Sequence, residues 1–148
     1  MADVVDSAMR SRMMAGIRGR DTKPELALRR ALHAEGLRFR LHQRQLPGSP
    51  DIVLPRHRTV IFVHGCFWHR HEGCKFTTTP STRSAFWAEK FEANQERDRR
   101  HVDQLLVGGW RVVTVWECAL RRDPPGRAAA SIREWLHSDE SQLEIGSR

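Results

Sequence analysis

Cysteine is scarce in this chain. Cys66, Cys74 and Cys118 are the only three in 148 residues, and so small and odd a number excludes a disulfide framework. Long apolar runs are missing as well. No stretch reaches the roughly 20 residues that span a bilayer. The opening MADVVDSAMRSRMM lacks the apolar centre of a secretory signal. These shortages point to a reducing cytoplasm. There is no internal repeat, so a solenoid is not expected. Acid is short relative to base: 18 Asp and Glu stand against 25 Lys and Arg, a net charge of +7. That excess favours a polyanionic partner, nucleic acid first, over a merely basic surface. The length suits one domain whose core needs no disulfides.

Residues 1–23 are polar and basic, with Met9, Met13, Met14 and Ile17 scattered among arginines. They read as an arm that orders on a partner or as a frayed terminus. A helix follows, capped by Thr22, with Pro24 in its first turn and Gly36 past its end. Glu25 lies on nearly the same side as the buried stripe of Leu28, Ala31 and Leu32, although the helix dipole alone favours an acid there. Strands are expected at residues 37–42, 51–54, 59–64 and 110–116, the last ending at Glu117-Cys118. A long helix is expected at about 84–107, with Trp87, Phe91, Asn94, Asp98, Val102 and Leu105 on one face. A final helix spans about 127–137, and the residues from Ser138 form a polar tail. The order α-β-β-β-α-β-α predicts an α/β sandwich around a mixed sheet, with the main domain over residues 24–137 and the tail over 138–148.

Cys66-x4-His71-x2-Cys74 places three metal-seeking side chains within nine residues, and Cys118 can close a tetrahedral structural zinc set. The plainer alternative is an ordinary buried Cys118 with two loop thiols. His69 sits between the ligands at another phase, and spacing alone does not decide whether His69 or His71 binds the metal. Asp51 opens a short strand after Pro50, and His64 lies near the end of the next. A carboxylate beside histidines can hold Mg2+ and activate water, while an Asp after Pro is also a common turn residue. Asp98 adds a carboxylate on the inward face of the long helix, where it needs a basic partner or a metal. Phe67 and Trp68 lie inside the Cys-to-His loop, and Phe86 and Trp87 open the long helix. They form either a local core or a wedge that parts stacked bases.

Taken in order, RDTKPE at 20–25, LPGSPDIV at 46–53, VIFVHGCFWHRHEGC at 60–74, FWAEKFEANQERDRR at 86–100 and GWRVVTVWECAL at 109–120 resemble the very-short-patch repair mismatch endonucleases. HGCFWHRH followed by a distant WEC is the most specific part. The resemblance implies a restriction-endonuclease-like fold and a strand-specific nick 5′ to the thymine of a T·G mismatch left by deaminated 5-methylcytosine. It implies a functional link to a cytosine-5 DNA methyltransferase and to general mismatch-repair factors, and a monomer beside the nucleoid. By position it makes Asp51 the magnesium carboxylate and His69 the general base, with His64, Glu25 and Asp98 as accessory active-site residues. It gives Cys66, His71, Cys74 and Cys118 to structural zinc. Phe67, Trp68 and Trp87 become the intercalating wedge, with Met14 and Ile17 pressing from the other groove.

Two departures are visible. The wider nuclease superfamily places acid-x-Lys on the strand after the first Asp. Here that stretch is Phe62-Val63-His64, so the metal takes a backbone carbonyl, that of Val63, or waters, and His64 stands in place of Lys. Position 63 often carries Thr in the repair family, and Val63 lacks that hydroxyl. The zinc loop, with Glu72-Gly73 before Cys74, is one residue longer than expected. Two other functions fit the same motifs: a non-catalytic zinc module that binds DNA, and a restriction-type nuclease acting on matched duplex.

Overall fold

A computed structural model describes residues 22–146. The basic arm, with Met14 and Ile17, lies outside these residues apart from its last two positions. Helix α1 (Lys23–Ala34) starts where the sequence places it: the Thr22 hydroxyl accepts the Glu25 N–H at 3.4 Å, and Pro24 occupies the first turn. Leu28 and Leu32 are fully buried on its inner side. Gly36 ends the turn with a left-handed backbone at φ +81°, where a side chain would be strained.

Five strands follow: β1 (Arg40–Leu41), β2 (Ile52–Leu54), β3 (Thr59–His64), β4 (Arg111–Trp116) and β5 (Gln142–Ile145). They pair in that order, antiparallel from β1 to β3 and parallel from β3 to β5. The chain crosses from β3 to β4 through a one-turn helix, α2 (Cys66–His69), and the long α3 (Ser84–Val107). It crosses from β4 to β5 through α4 (Glu117–Arg122) and α5 (Pro125–Trp135). Side chains alternate across a strand, and the two faces fill separately. Ile52, Leu54, Ile61, Val113 and Val115 pack with α1, α4 and α5. Val53, Val60, Phe62 and Val112 pack with Leu105 of α3. The result is an α/β sandwich with a mixed central sheet, as the residue pattern predicts.

Three expectations needed correction. The strand expected over residues 37–42 pairs only at Arg40–Leu41; Phe39 stacks instead on His33, at 4.5 Å between ring centroids. Glu117-Cys118 does not extend β4 but opens α4. The tail expected from Ser138 contains β5, because Leu143 and Ile145 alternate with Gln142 and Glu144 and pack against the larger core. Arg111 secures this corner. Its guanidinium lies 4.0 Å over the Trp135 ring and donates to the carbonyls of Trp135, Leu136, Ser138 and Glu140. A cation there satisfies the orphan carbonyls at the end of α5 and faces the negative end of its dipole. Among the described residues no helix is long and apolar enough to cross a membrane.

Candidate active site and metal centre

The first group of polar side chains gathers where β1 and β2 open. Leu41 pairs with Ile52, so His42 and Asp51 are the next facing positions. The His42 N–H donates to the Asp51 carbonyl at 3.1 Å. The Asp51 carboxylate turns toward β3 and accepts the Val63 N–H at 2.8 Å. Glu25 reaches the same place from α1 and is only 3% exposed. Ligand atoms of Glu25, His42 and Asp51 all lie within 4.8 Å of one another. Burial pushes the Asp51 carboxyl up to about 7; neighbouring Glu25 adds to the rise, while the Val63 N–H and Arg29 oppose it. Two carboxylates this close cannot both ionise cheaply. A divalent cation removes that conflict, so the carboxylate pair fits a metal ion that takes oxygen ligands.

The second group lies at the end of β3. His64 and His69 stack face to face, 3.8 Å between centroids and 4° from parallel. Asp98 of α3 holds His69 Nδ1 at 2.6 Å. Burial opposes ionisation of Asp98, but the hydrogen bond and charge of His69, then His64 and Arg97, outweigh it and leave its carboxyl below the usual range. An ionised carboxylate only accepts, so Nδ1 carries the proton, and in the neutral form of the ring Nε2 is the nitrogen with a lone pair. His64 is buried, and burial drives its imidazole down to about 3, with His69 adding to the fall and Asp98 resisting it. His64 is therefore neutral across the physiological range.

The third group is a sulfur cluster. His64 and Trp116 are register partners at the ends of β3 and β4. Cys66 and Cys118 each follow two residues later, so the parallel pairing brings them together. Donor atoms of Cys66, His71, Cys74 and Cys118 lie within 4.8 Å of one another. Tetrahedral ligands at about 2.3 Å from a metal stand roughly 3.7 Å apart, and His71 Nδ1 is 3.4 Å from Cys118 Sγ. The set therefore fits a four-coordinate metal. His71, not His69, is the histidine that the fold brings to the thiols. Its ring stacks on Trp116 at 4.4 Å, and Trp116 Nε1 donates to Glu144 of β5 at 2.6 Å. A Cβ on Gly146 would meet His71 Nε2 at 2.7 Å, so only glycine fits behind the ring. Burial pushes the Cys66 thiol up to about 12, with Cys118 and Cys74 beside it. A metal charge is the natural means of ionising such a thiol.

The expected wedge residues pack on one another. Phe67, Trp68, Trp87 and Phe91 form a cluster of edge-on and tilted rings between α2 and α3. Trp68 and Trp87 are each 8% exposed, Phe67 is half-buried, and Phe86 is 44% exposed. Asn94 Nδ2 reaches the Trp68 carbonyl at 3.5 Å and ties the cluster to α3. Phe67 and Trp68 line the wall of a cleft of about 820 Å³ that also contains Glu25, Asp51, His64 and His69.

Comparisons with known proteins agree with this arrangement. A sequence model of the DNA mismatch endonuclease Vsr family matches residues 2–75. The chain is 46% identical over 151 residues to the DNA mismatch endonuclease Vsr of Escherichia coli strain K12, covering 100% of this chain and 96% of that protein. It is 48% identical over 120 residues to the type II nicking enzyme V.XorIIP of Xanthomonas oryzae pv. oryzae, 81% of this chain and 88% of that one. A type II nicking enzyme of Neisseria meningitidis, V.NmeAIP, is 40% identical over 121 residues, 82% of this chain and 86% of that one. The chain belongs to the Vsr family.

Vsr membership makes it an endodeoxyribonuclease. The five-stranded mixed sheet with helices on both faces is the restriction-endonuclease-like architecture of that family. Within this Vsr chain the fold adds residues that sequence reasoning passed over. His42 joins Glu25 and Asp51. Arg29 pairs with Glu25 and reaches His42. Lys23, Arg97 and Arg121 place positive charge around the cleft. The one available signal for His42 is its place at the end of the 37–42 strand, facing Asp51 at the start of the next across a hairpin.

Proposed function

We propose that this chain nicks one strand of duplex DNA 5′ to the thymine of a T·G mismatch, in a magnesium-dependent reaction that starts very-short-patch repair of deaminated 5-methylcytosine. The observation that carries the proposal is the meeting, in one cleft, of a carboxylate pair on one side and an Asp-oriented histidine on the other. A passive zinc module has no use for that opposition.

Asp51, with the Val63 carbonyl, would hold Mg2+. The ion would supply positive charge against the phosphate and a more acidic water. The chain's own groups do the rest. His69 Nε2 takes a proton from the attacking water while Asp98 fixes the ring and stabilises its charged form. His64, stacked on His69 and kept neutral, keeps the ring in plane. Glu25 holds outer water. Lys23, Arg97 and Arg121 meet phosphates, a term that is strong and salt-dependent. Cys66, His71, Cys74 and Cys118 would bind structural Zn2+ and fix the loop that carries His69. Phe67, Trp68 and Trp87 would press into the base stack as a rigid aromatic block, with Met14 and Ile17 of the arm on the opposite groove. A T·G pair stacks poorly, so opening the helix there costs less.

A cytosine-5 DNA methyltransferase of matching specificity creates the need for this repair, and general mismatch-repair factors cooperate with it. The enzyme would act as a monomer in the cytoplasm, at the nucleoid. The test is a nicking assay on T·G and fully matched duplexes, with and without Mg2+, for wild type and Asp51→Asn. One cut, 5′ to the mismatched thymine and lost in the variant, is expected. Equal cutting of matched DNA would mean a restriction-type nuclease. No cutting at all would leave a DNA-binding module.

A further inference from the structure

We propose that Arg29 is a metal-specificity residue: its guanidinium bridges Glu25 and His42, keeps the His42 imidazole away from the cation, and so holds the Asp51 site to a hard ion with oxygen ligands. This inference rests on the proposal that Asp51 binds the catalytic metal.

Glu25, His42 and Asp51 bring two carboxylates and one imidazole within 4.8 Å. By ligand chemistry alone, such a mixed set prefers Mn2+, Co2+ or Zn2+ to Mg2+, because imidazole nitrogen suits the softer ions. A positive group already stands among these donors. Arg29 lies one turn after Glu25 on α1 and donates to its carboxylate through Nη2. The same nitrogen is 3.0 Å from His42 Nε2. A guanidinium has donors only. His42 Nε2 must therefore be the acceptor, and the lone pair that would bind a metal is directed at Arg29.

The arrangement is held from both sides. The Arg29 side chain is 12% exposed and the Glu25 side chain 4%. The guanidinium stays charged at every pH the protein meets. His42 Nε2 is 3.7 Å from Glu25 Oε2, and its backbone sits at φ +46°, fixed by the hydrogen bond to the Asp51 carbonyl. Arg29 also balances the Glu25 charge, so the cation meets a single strongly attracting carboxylate. That suits an ion that keeps much of its water, as Mg2+ does.

The test compares Mg2+ and Mn2+ binding by calorimetry in the zinc-loaded full chain without DNA. The readout is the ratio of the two dissociation constants. Arg29→Met should shift that ratio toward Mn2+ by about tenfold or more, the usual scale for outer-shell changes. Arg29→Met with His42→Gln should return it to the wild-type value, even if both ions bind more tightly to the uncompensated carboxylates. His42→Gln alone should leave the ratio unchanged, and this variant remains informative if Arg29→Met fails to fold. Pulsed EPR of bound Mn2+ should show coupling to an imidazole nitrogen in Arg29→Met and lose it in the double variant. An unchanged ratio in folded Arg29→Met, or a loss of Mn2+ preference in His42→Gln, overturns the inference. Asp51→Asn separates it from its parent: unaltered Mg2+ binding in that variant would sink the Asp51 site itself.

Discussion

Replacing Asp51 by Asn should abolish nicking and yet stabilise the metal-free protein, by an amount that depends on pH. The folded carboxyl is raised from 3.8 to about 7, mainly by burial. Between these values the unfolded chain has released the proton and the folded chain has kept it. Stability therefore falls as pH rises through this window. Above pH 7 the folded protein carries an ionised Asp51 beside Glu25, at a cost of at most about 4 kcal/mol at 1.36 kcal/mol per pH unit. Water in the open cleft lowers that figure. Even about 2 kcal/mol moves the melting midpoint of a protein this size by roughly 4–8 °C. Asn retains an oxygen for the Val63 N–H and an amide that can donate to Glu25, so it loses the charge and little else. The assay is thermal unfolding of zinc-loaded wild type and variant from pH 4 to 8 without added magnesium. The two midpoints should nearly coincide at pH 4, separate as pH rises, and run parallel above about pH 7.5. Added Mg2+ should raise the wild-type midpoint alone. A variant no more stable than wild type at pH 8 would refute the reasoning.

Other outcomes are equally definite. His69→Ala should slow nicking on the order of 10²–10⁴-fold, the share of a general base, with duplex binding retained in a gel-shift titration. His64 titrates at about 3 because of burial, so its contribution to stability is lost as pH falls from about 6.5 toward 3; His64→Asn should lessen acid destabilisation in the same melts. Cys118→Ser should lose bound zinc, measured by elemental analysis, and unfold at lower temperature. Phe67→Ala with Trp68→Ala should remove most preference for mismatched over matched duplex and leave salt-sensitive binding and zinc content intact; an undiminished preference in the folded double variant would return these rings to a purely structural role.

Much of the site can be read in the sequence because its residues cluster beside motifs. Cys66, His69, His71 and Cys74 share one short loop, and His64 ends the strand before it. The spacing alone left His69 and His71 interchangeable, because phase within a loop is set by the one-turn helix α2, which the sequence does not announce. Asp51 was visible as an acid opening a strand. Its neighbours His42 and Arg29 were not, since each is a single residue made relevant by hairpin register or helix phase. The strand β5 escaped because four residues of alternation are too few to stand out from a polar tail. Glu117-Cys118 was read as strand because a valine-rich run gives no sign of where pairing stops.

The position of the sulfur cluster across the seam between β3 and β4 has a consequence for how the chain folds. Those two strands are parallel and separated by about fifty residues of crossover, the kind of pairing that forms slowly because the chain must close a long loop first. Cys66, His71 and Cys74 are close neighbours and can capture a metal before the sheet exists. Cys118 is the one distant member of the set, and its arrival would close the loop. A slip of one residue between the strands would displace it by about 3.3 Å, more than the length of a metal–sulfur bond. The metal would thus reject misregistered pairings as it accepts the native one. The rate at which the nuclease matures should then follow the supply of that metal, with the cleft completed only after the seam has been zipped.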